Sequence, residues 1–231
     1  MAKHKSFKAA FAILLVTASL AATAQQKQVA LVNKPFDYGY GSNDAPTVAV
    51  GGQQWLGKNL NVDHFANRDP IPQAQTEDEW KRASGEKQPA WCYYNNDPAN
   101  GRTYGKLYNW YAVHDARGLA PTGWHVASDA EWTQLTGYLG RAAIAGTKMK
   151  SVNLWEYNGN GDNSSGIAGL PGGNRSTDGA FANVGKYGGW WSSSEVTTDK
   201  AWFRNLYYFG GKAYRNGSLK GCGFSVRCVR D

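Results

Sequence analysis

Tryptophan and tyrosine stand beside glycine in run after run of this sequence, most densely in its second half. Residues 188–194 (GGWWSSS) and 223–229 (GFSVRCV) both enter a strand-like segment directly from glycine. The chain has 10 Trp, 13 Tyr and 28 Gly but two Met in 231 residues, so few long amphipathic helices can be built from it. We therefore predict short strands joined by ordered loops, with aromatic rings filling the core.

The first residues have the pattern of a secretory leader. Three lysines within the first eight residues precede a mostly apolar stretch at 9–22, and small residues at 22 and 24 fit a signal peptidase site. We predict a signal peptide over 1–24, a poorly ordered extension over 25–46 and a single domain over 47–231. The protein is then exported by the Sec route to the periplasm, the cell surface or the medium, with no membrane span.

Charge argues against one class of partner. Removal of the leader takes away three lysines and no acidic residue, so the formal charge of +7 falls by three. The remaining Lys and Arg are scattered, with no run long enough to follow a phosphate backbone. We expect no nucleic-acid partner.

Two helices carry the same start signal. Thr76 with Glu79, and Ser128 with Glu131, have the spacing of a capping box, in which hydroxyl and carboxylate satisfy free backbone donors reciprocally. The second box is followed by an apolar stripe at i, i+3 and i+7, and residues 107–111 also fit a helical face. Two or three short helices are expected.

Strand patterns dominate the rest of the chain. Residues 47–56 suggest an early hairpin, and 188–194, 201–209 and 223–229 suggest later strands. In the last of these, Phe224, Val226 and Cys228 would share one face. Helices early and strands late predict an α+β domain with mostly antiparallel strands.

Six ordered motifs also resemble one known family. They are residues 91–96 (WCYYNN), 104–110 (YGKLYNW), 121–126 (PTGWHV), 170–173 (LPGG), 190–195 (WWSSSE) and 223–229 (GFSVRCV). Together they resemble the Fibrobacter succinogenes major paralogous domain (FISUMP), from about Val48 to the C-terminus.

The resemblance implies a C-type-lectin-like fold, distantly similar to formylglycine-generating enzymes and to hypervariable phage receptor-binding proteins, in exported and often surface-associated bacterial proteins. It implies no common activity. The chain departs from the family pattern at Ala120, where many members have cysteine, at Ala127, where many have proline, and at Cys222. The family's disulfide scheme therefore does not transfer.

The three cysteines leave an odd thiol in an oxidising compartment. If 222–228 is one continuous strand, Cys222 and Cys228 lie about 20 Å apart, too far for a disulfide. A bond from Cys92 to one of them is the better prediction. The alternative, suggested by the formylglycine-generating enzymes, is a copper-binding thiol pair.

Other catalytic patterns are weak. The histidines lack metal-site spacing, and His125, within an apolar segment, is predicted to be a hydrogen-bonded core residue. Residues 192–194 are serines outside a Gly-x-Ser-x-Gly elbow, and no histidine follows them. We therefore predict that the protein is not an enzyme.

A Gly-rich loop offers a possible cation site. Asn158, Asn160 and Asp162 alternate as oxygen donors, as calcium ligands do, although the EF-hand register fails and one charged ligand is present. We predict no cofactor for this loop and interpret it as an ordered, turn-rich loop; calcium is the alternative.

The late strands and loops offer side chains for a ligand face. The candidate rings are Trp155, Trp202, Tyr207, Tyr208 and Tyr214, and the polar candidates are Asn174, Arg175, Arg204, Arg215 and Asn216. Exposed clusters of aromatic and arginine side chains mark interfaces, whereas single ones do not.

These observations favour an exported, non-enzymatic module that binds an extracellular or surface glycan or protein. Two alternatives stay open: a secreted thiol enzyme related to the formylglycine-generating enzymes, and a structural surface protein in which the domain is a spacer.

Overall fold

A computed structural model describes residues 46–231 of the chain. The predicted signal peptide (1–24) and all but the last residue of the predicted extension (25–46) lie outside the described residues. The strands are β1 (Thr47–Val50), β2 (Gln53–Leu56), β3 (Trp91–Cys92), β4 (Leu107–Tyr108), β5 (Trp124–Val126), β6 (Gly172–Arg175), β7 (Phe181–Val184), β8 (Tyr187–Thr197), β9 (Lys200–Tyr207), β10 (Tyr214–Leu219) and β11 (Cys228–Arg230). The helices are α1 (Glu77–Gly85), α2 (Pro98–Tyr104), α3 (Trp110–Val113), α4 (Asp129–Tyr138) and α5 (Ala142–Met149), with a 3₁₀ turn at Tyr94–Asn96.

Both predicted capping boxes are present, at the starts of α1 and α4. The apolar stripe of α4 is buried, as its spacing predicts; its members are Trp132, Leu135 and Leu139. The expected helix count was too low, because residues 46–231 contain five α-helices rather than two or three. Residues 107–111 divide between strand β4 and the one-turn helix α3, which Asn109 caps through its side chain.

Three sheets organise the domain. One has the order β1-β2-β11-β5, the second has the order β10-β9-β8-β6-β7, and the third is the pair β3-β4. The pairing is antiparallel except between β6 and β8. The α+β class and the mostly antiparallel strands predicted from the sequence are therefore confirmed for the described residues.

The closing motif is irregular over most of its length. Regular strand begins only at Cys228, and residues 223–225 make isolated bridges to three different elements. Phe224 and Val226 are buried as predicted, but Ser225 and Arg227 are buried too. The motif passes through the interior and has no solvent face, which explains its departure from a simple two-faced strand.

The core contains fixed cations as well as aromatic rings. Six Lys or Arg residues of the described chain are at most 6% exposed: Lys106, Lys150, Arg175, Arg204, Lys220 and Arg227. Five of them donate to backbone carbonyls of loops or element ends; Arg204 donates to the carbonyl and carboxylate of Asp129. Loops with few apolar residues are thereby held by charge-assisted hydrogen bonds.

No helix within residues 46–231 has the length and apolar character needed to cross a membrane.

Candidate functional site

Five aromatic side chains form a continuous row at one end of β9 and β10. The ring centroids of Tyr157 and Tyr208 are 5.2 Å apart, and those of Tyr208 and Phe209 are also 5.2 Å apart. Phe209 stacks on Tyr207 at 5.0 Å with 13° between the planes, and Tyr207 meets Tyr214 edge to face at 5.3 Å. We call these five residues the aromatic row.

The aromatic row is open to solvent and has a cation at each end. Tyr157 is 71% exposed and Phe209 54% exposed, while the other three rings are half-buried. The ammonium of Lys186 lies 5.5 Å from the ring centre of Tyr157, and that of Lys212 lies 4.7 Å from that of Tyr214. Soluble domains rarely leave contiguous aromatic surface exposed without a role in contact.

The amino group of Lys150 holds the chain that carries the row. It donates to the carbonyl oxygens of Gly159 at 2.5 Å and Gly210 at 3.1 Å, and it lies 3.4 Å from those of Tyr207 and Tyr208. Burial lowers the pKa of Lys150. One buried ammonium therefore gathers both segments that contribute rings.

Close backbone packing fixes the same region. A Cβ at Gly159 would collide with the carbonyl of Tyr208. The peptide N–H of Thr147 on α5 donates to the carbonyl of Gly211, so the helix supports the turn after Phe209. The row is thus presented by a rigid turn.

Trp155 is placed differently from the sequence-based expectation of an exposed ring. It is 4% exposed, and its indole N–H donates to the carbonyl of Gly169 at 3.1 Å. Its backbone N–H donates to Asn160 Oδ1 at 3.0 Å. Trp155 therefore anchors the 151–160 loop, and the exposed ring of that loop is Tyr157. An indole has more apolar area to bury than a phenol, and its single donor is satisfied inside.

The proposed calcium ligands lie on the same loop and just after it. Asn160 Oδ1 accepts from Trp155, and Asp162 Oδ1 accepts from both the backbone N–H and the hydroxyl of Ser164, each at 2.8 Å. Asn158 is exposed and has a φ of 58°. Calcium requires six to eight oxygen ligands, usually with several carboxylates. A set with one carboxylate, in which the Oδ1 atoms of Asn160 and Asp162 already close turns, does not fit that requirement.

A second group of predicted ligand contacts is engaged within the domain. Arg204 and Arg215 both donate to the carboxylate of Asp129 at the start of α4, at 2.6 and 2.8 Å. The guanidinium of Arg215 lies 3.3 Å from the ring centre of Trp202. Arg204 is 2% exposed and cannot reach a ligand, so its expected role was wrong. Trp202 is half-buried and Arg215 exposed.

Arg175 is also structural. It is 0% exposed, and it donates to the carbonyls of Ala74 at 2.8 Å and Thr76 at 2.9 Å, beside the ring of Trp80. It therefore cannot contribute polar contacts around a ligand. A long cationic side chain looks like surface in sequence, although buried loop carbonyls can hold it inside.

The two remaining polar candidates, Asn174 and Asn216, form hydrogen bonds with other side chains of the domain. Asn174 Oδ1 accepts from Asn183, and exposed Asn216 donates to buried Asn205 at 2.9 Å. Asn216 sits on β10 beside the aromatic row, two residues after Tyr214. Arg215 and Asn216 are the exposed polar candidates. Asn216 lies on the same face of β10 as Tyr214, because alternate residues of a strand share a face.

The cysteines are free thiols, and the predicted bond from Cys92 is not formed. Cys92 packs with Trp80 and Leu107 in a small cluster, whereas Cys228 lies in the main core and Cys222 packs against that core. Cys92 is thus in a different cluster from Cys222 and Cys228. Burial raises the pKa of Cys92 and of Cys228 to about 12, although Arg175 and Arg227 act to lower them.

His125 bridges two carboxylates instead of sitting in the core. Its Nε2 lies 2.6 Å from Glu131 and its Nδ1 2.7 Å from Asp231, and the side chain is 42% exposed. The expectation of hydrogen bonding is met, but that of a core position is wrong, because β5 lies at the edge of its sheet. With both ring nitrogens engaged, His125 has no free nitrogen to serve a neighbouring serine as a base.

Sequence reasoning missed two members of the row, Tyr157 and Phe209. Each has a usable signal: Tyr157 stands two residues from Trp155 in a loop of Asn and Gly, and Phe209 precedes the pair Gly210-Gly211. Three other members were predicted: Tyr207, Tyr208 and Tyr214. The structure brings all five together.

The chain was compared with curated proteins and with protein-family models. A search of curated proteins finds no match for this chain. The family model of the Fibrobacter succinogenes major domain matches residues 48–230, which is most of the chain and all but the edges of the described domain. The chain therefore belongs to the Fibrobacter succinogenes major domain family.

Proposed function

We propose that this protein is an exported, non-enzymatic binding module whose ligand, a glycan or a protein, contacts the aromatic row. The observation that carries the proposal is the row itself: five touching rings, two of them more than half exposed, on a backbone held by Lys150. A rigid aromatic surface loses little conformational entropy when it binds.

A glycan is the ligand to test first. Tyrosine offers an apolar ring face together with a hydroxyl, which suits a sugar's alternation of C–H and O–H groups. The lysines at the two ends, Lys186 and Lys212, add donors beyond the rings. A protein ligand would use the same rings as anchors at the centre of an interface.

The alternatives have less support. A thiol enzyme needs an accessible thiolate, and burial raises the pKa of all three cysteines. A pure spacer has no need of an exposed aromatic row.

We also propose a C-type-lectin-like fold. It is supported by the pairing of β2, near the start of the domain, with β11 at its end and by the long ordered loops between them.

The test compares two variants of the full chain. Tyr157→Ser with Phe209→Ser removes the two most exposed rings of the row, and Tyr138→Ser removes an equally exposed ring, at 69%, from α4 outside the row. Each protein is applied to a glycan array, and hits are measured by calorimetry. We expect the double variant to weaken binding about tenfold or more and Tyr138→Ser to leave it unchanged.

Direct binding to a purified surface protein, lost in the same double variant, would assign the row to a protein ligand. Binding that survives the double variant would overturn the proposal for this surface. A blank array together with no protein ligand would favour the spacer.

A further inference from the structure

The domain also has a cleft that is lined by residues other than those of the aromatic row. It is a cleft of about 430 Å³ bounded by the turn after β2, the end of α2 and the beginning of the 151–160 loop. None of the five rings of the row lines it. Clefts of about 300–1,000 Å³ commonly hold small ligands, so its size suits one or two sugar residues.

The charge of the cleft is one-sided. Lys58 and Arg102 stand at its edge, both exposed, and Arg227 also lines it, and none of its lining residues is acidic. Neither Lys58 nor Arg102 forms an ion pair with another residue of 46–231. Arg227 is fixed, because it donates to Asn59 Oδ1 at 2.8 Å and to the carbonyl of Leu56 at 2.7 Å.

Glu156 is a carboxylate close enough to act on a residue of the cleft. Burial and then the charge of Glu156 raise the pKa of Tyr104, which lines the cleft, so this carboxylate is within electrostatic range. Glu156 does not line the cleft, however, and it is paired with Lys186 at 3.7 Å. The lining residues themselves carry positive charge and no negative charge.

The neutral part of the lining is rich in groups that recognise sugars. It combines the carboxamides of Asn61 and Asn153, the hydroxyl of Thr103 and the ring of Tyr104. The hydroxyl of Ser151 is buried and donates to the carbonyl of Asn153 at 2.6 Å. Amides and hydroxyls match the hydroxyls of a saccharide, and an aromatic ring matches its C–H face. A phosphate or other bare anion would use the cations but leave these groups without a role.

We propose that this cleft binds an acidic saccharide, with Lys58 and Arg102 contacting its anionic group and the neutral lining contacting its hydroxyls. A carboxylate is planar and a sulfate is tetrahedral, but both are oxyanions that ammonium and guanidinium groups bind. The proposal goes beyond the function proposed for the aromatic row and does not depend on it.

Calorimetry on the full chain provides the test, with trigalacturonate, sulfated maltotriose, maltotriose and inorganic phosphate as separate probes. Trigalacturonate or sulfated maltotriose should bind at least about tenfold more tightly than maltotriose, because their anionic groups accept charge-assisted hydrogen bonds that maltotriose cannot accept. Which of the two binds identifies carboxylate or sulfate as the preferred group. The affinity should fall as salt is raised.

The variant Lys58→Gln with Arg102→Gln should lose about tenfold or more of this affinity. The matched control is Arg82→Gln with Lys200→Gln, which removes one exposed Arg and one exposed Lys outside the cleft. The row variant Tyr157→Ser with Phe209→Ser should bind the acidic sugar normally, so failure of one proposal is distinguishable from failure of the other. Equal binding of all three sugars, equal loss in both charge variants, or phosphate binding as tightly as the sugars would overturn the assignment.

Discussion

The ammonium of Lys150 lies 2.5 Å from the carbonyl oxygen of Gly159, across the base of the loop that carries Tyr157. The same nitrogen donates to the carbonyl of Gly210, on the turn after Phe209. Two segments about fifty residues apart in sequence are therefore joined by one side chain. This contact explains how a loop of Asn and Gly can hold a fixed aromatic surface.

Replacement of this lysine should loosen the row. Lys150→Met keeps most of the side-chain volume but leaves buried carbonyls without their donor, and we expect the free energy of unfolding to fall by about 2–4 kcal/mol. Urea unfolding measures the change, and hydrogen exchange should rise at Gly159 and Gly210. Lys148→Met, in the last turn of α5 and two residues before Lys150, is the control; an equal loss there would contradict the assigned role.

The ion pairs of Arg204 and Arg215 with Asp129 should stabilise the fold and should not contact a ligand. Asp129→Asn leaves the buried guanidinium of Arg204 without its counter-charge, and we expect a loss of about 2–4 kcal/mol in unfolding free energy. Arg215 is 46% exposed, so Arg215→Gln should cost less than about 1 kcal/mol. Denaturant unfolding of both variants provides the comparison. A larger effect of Arg215→Gln, or loss of ligand binding without loss of stability in Asp129→Asn, would show that this group contacts a ligand.

Stability should depend on pH through His125. Partial burial acts to lower its pKa, but hydrogen bonds to Asp231 and Glu131 and the charges of both outweigh burial, so the pKa is raised. The folded state then holds the proton more tightly than the unfolded chain. Its contribution is complete below pH about 6.5, the unfolded value, and is lost as pH rises through the folded-state pKa.

The measurement compares the unfolding free energy of the natural chain with that of His125→Gln between pH 5 and 9. The gap should be widest at the acid end and close toward the alkaline end, with a size of no more than about 1 kcal/mol because the ring is partly exposed. NMR titration of the ring should give a midpoint above the usual histidine value. A gap that widens with rising pH would contradict the sign.

The thiols should be unreactive in the folded protein. With the pKa of Cys92 and of Cys228 raised by burial to about 12, almost no thiolate is present at pH 8, and both sulfurs are shielded. Iodoacetamide at pH 8 should leave these two unmodified until urea unfolds the chain, while Cys222, which is half-buried, reacts slowly. Mass spectrometry of the unreduced protein should find three free thiols. A bond from Cys92 to Cys222 or Cys228 would contradict the structure and support the prediction made from the sequence.

Local signals carried the successful predictions. The capping boxes at Thr76 and Ser128 need residues three apart in sequence, and the stripe after Ser128 needs about two turns of helix geometry. Helix α2 has an equally local signal, Asp97 as a cap followed by Pro98 at the first position, which the sequence reading overlooked. Helix α5 offers no such signal, since Arg141 before it makes no side-chain cap and has a φ of 75°.

Predictions that depended on burial of single side chains were less successful. Trp155 and Tyr157 stand two residues apart in the same loop, yet one is buried and the other 71% exposed. Arg175 and Arg215 are the same residue type, and their difference arises from carbonyls of the 74–76 segment about a hundred residues away. Such choices depend on long-range packing, which spacing along the chain does not encode.

The six buried cations also change how the molecule meets polyanions. The sequence pI of about 9.2 counts every Lys and Arg alike, but a phosphate or sulfate group approaching from solvent cannot touch the side chain of a residue that is at most 6% exposed. Six of the 20 Lys and Arg residues in 46–231 are therefore unavailable for direct contact with a polyanion, and non-specific adhesion should be weaker than the isoelectric point suggests. The buried Lys and Arg residues fix loop backbone, and they add no positive charge that an acidic molecule could contact directly.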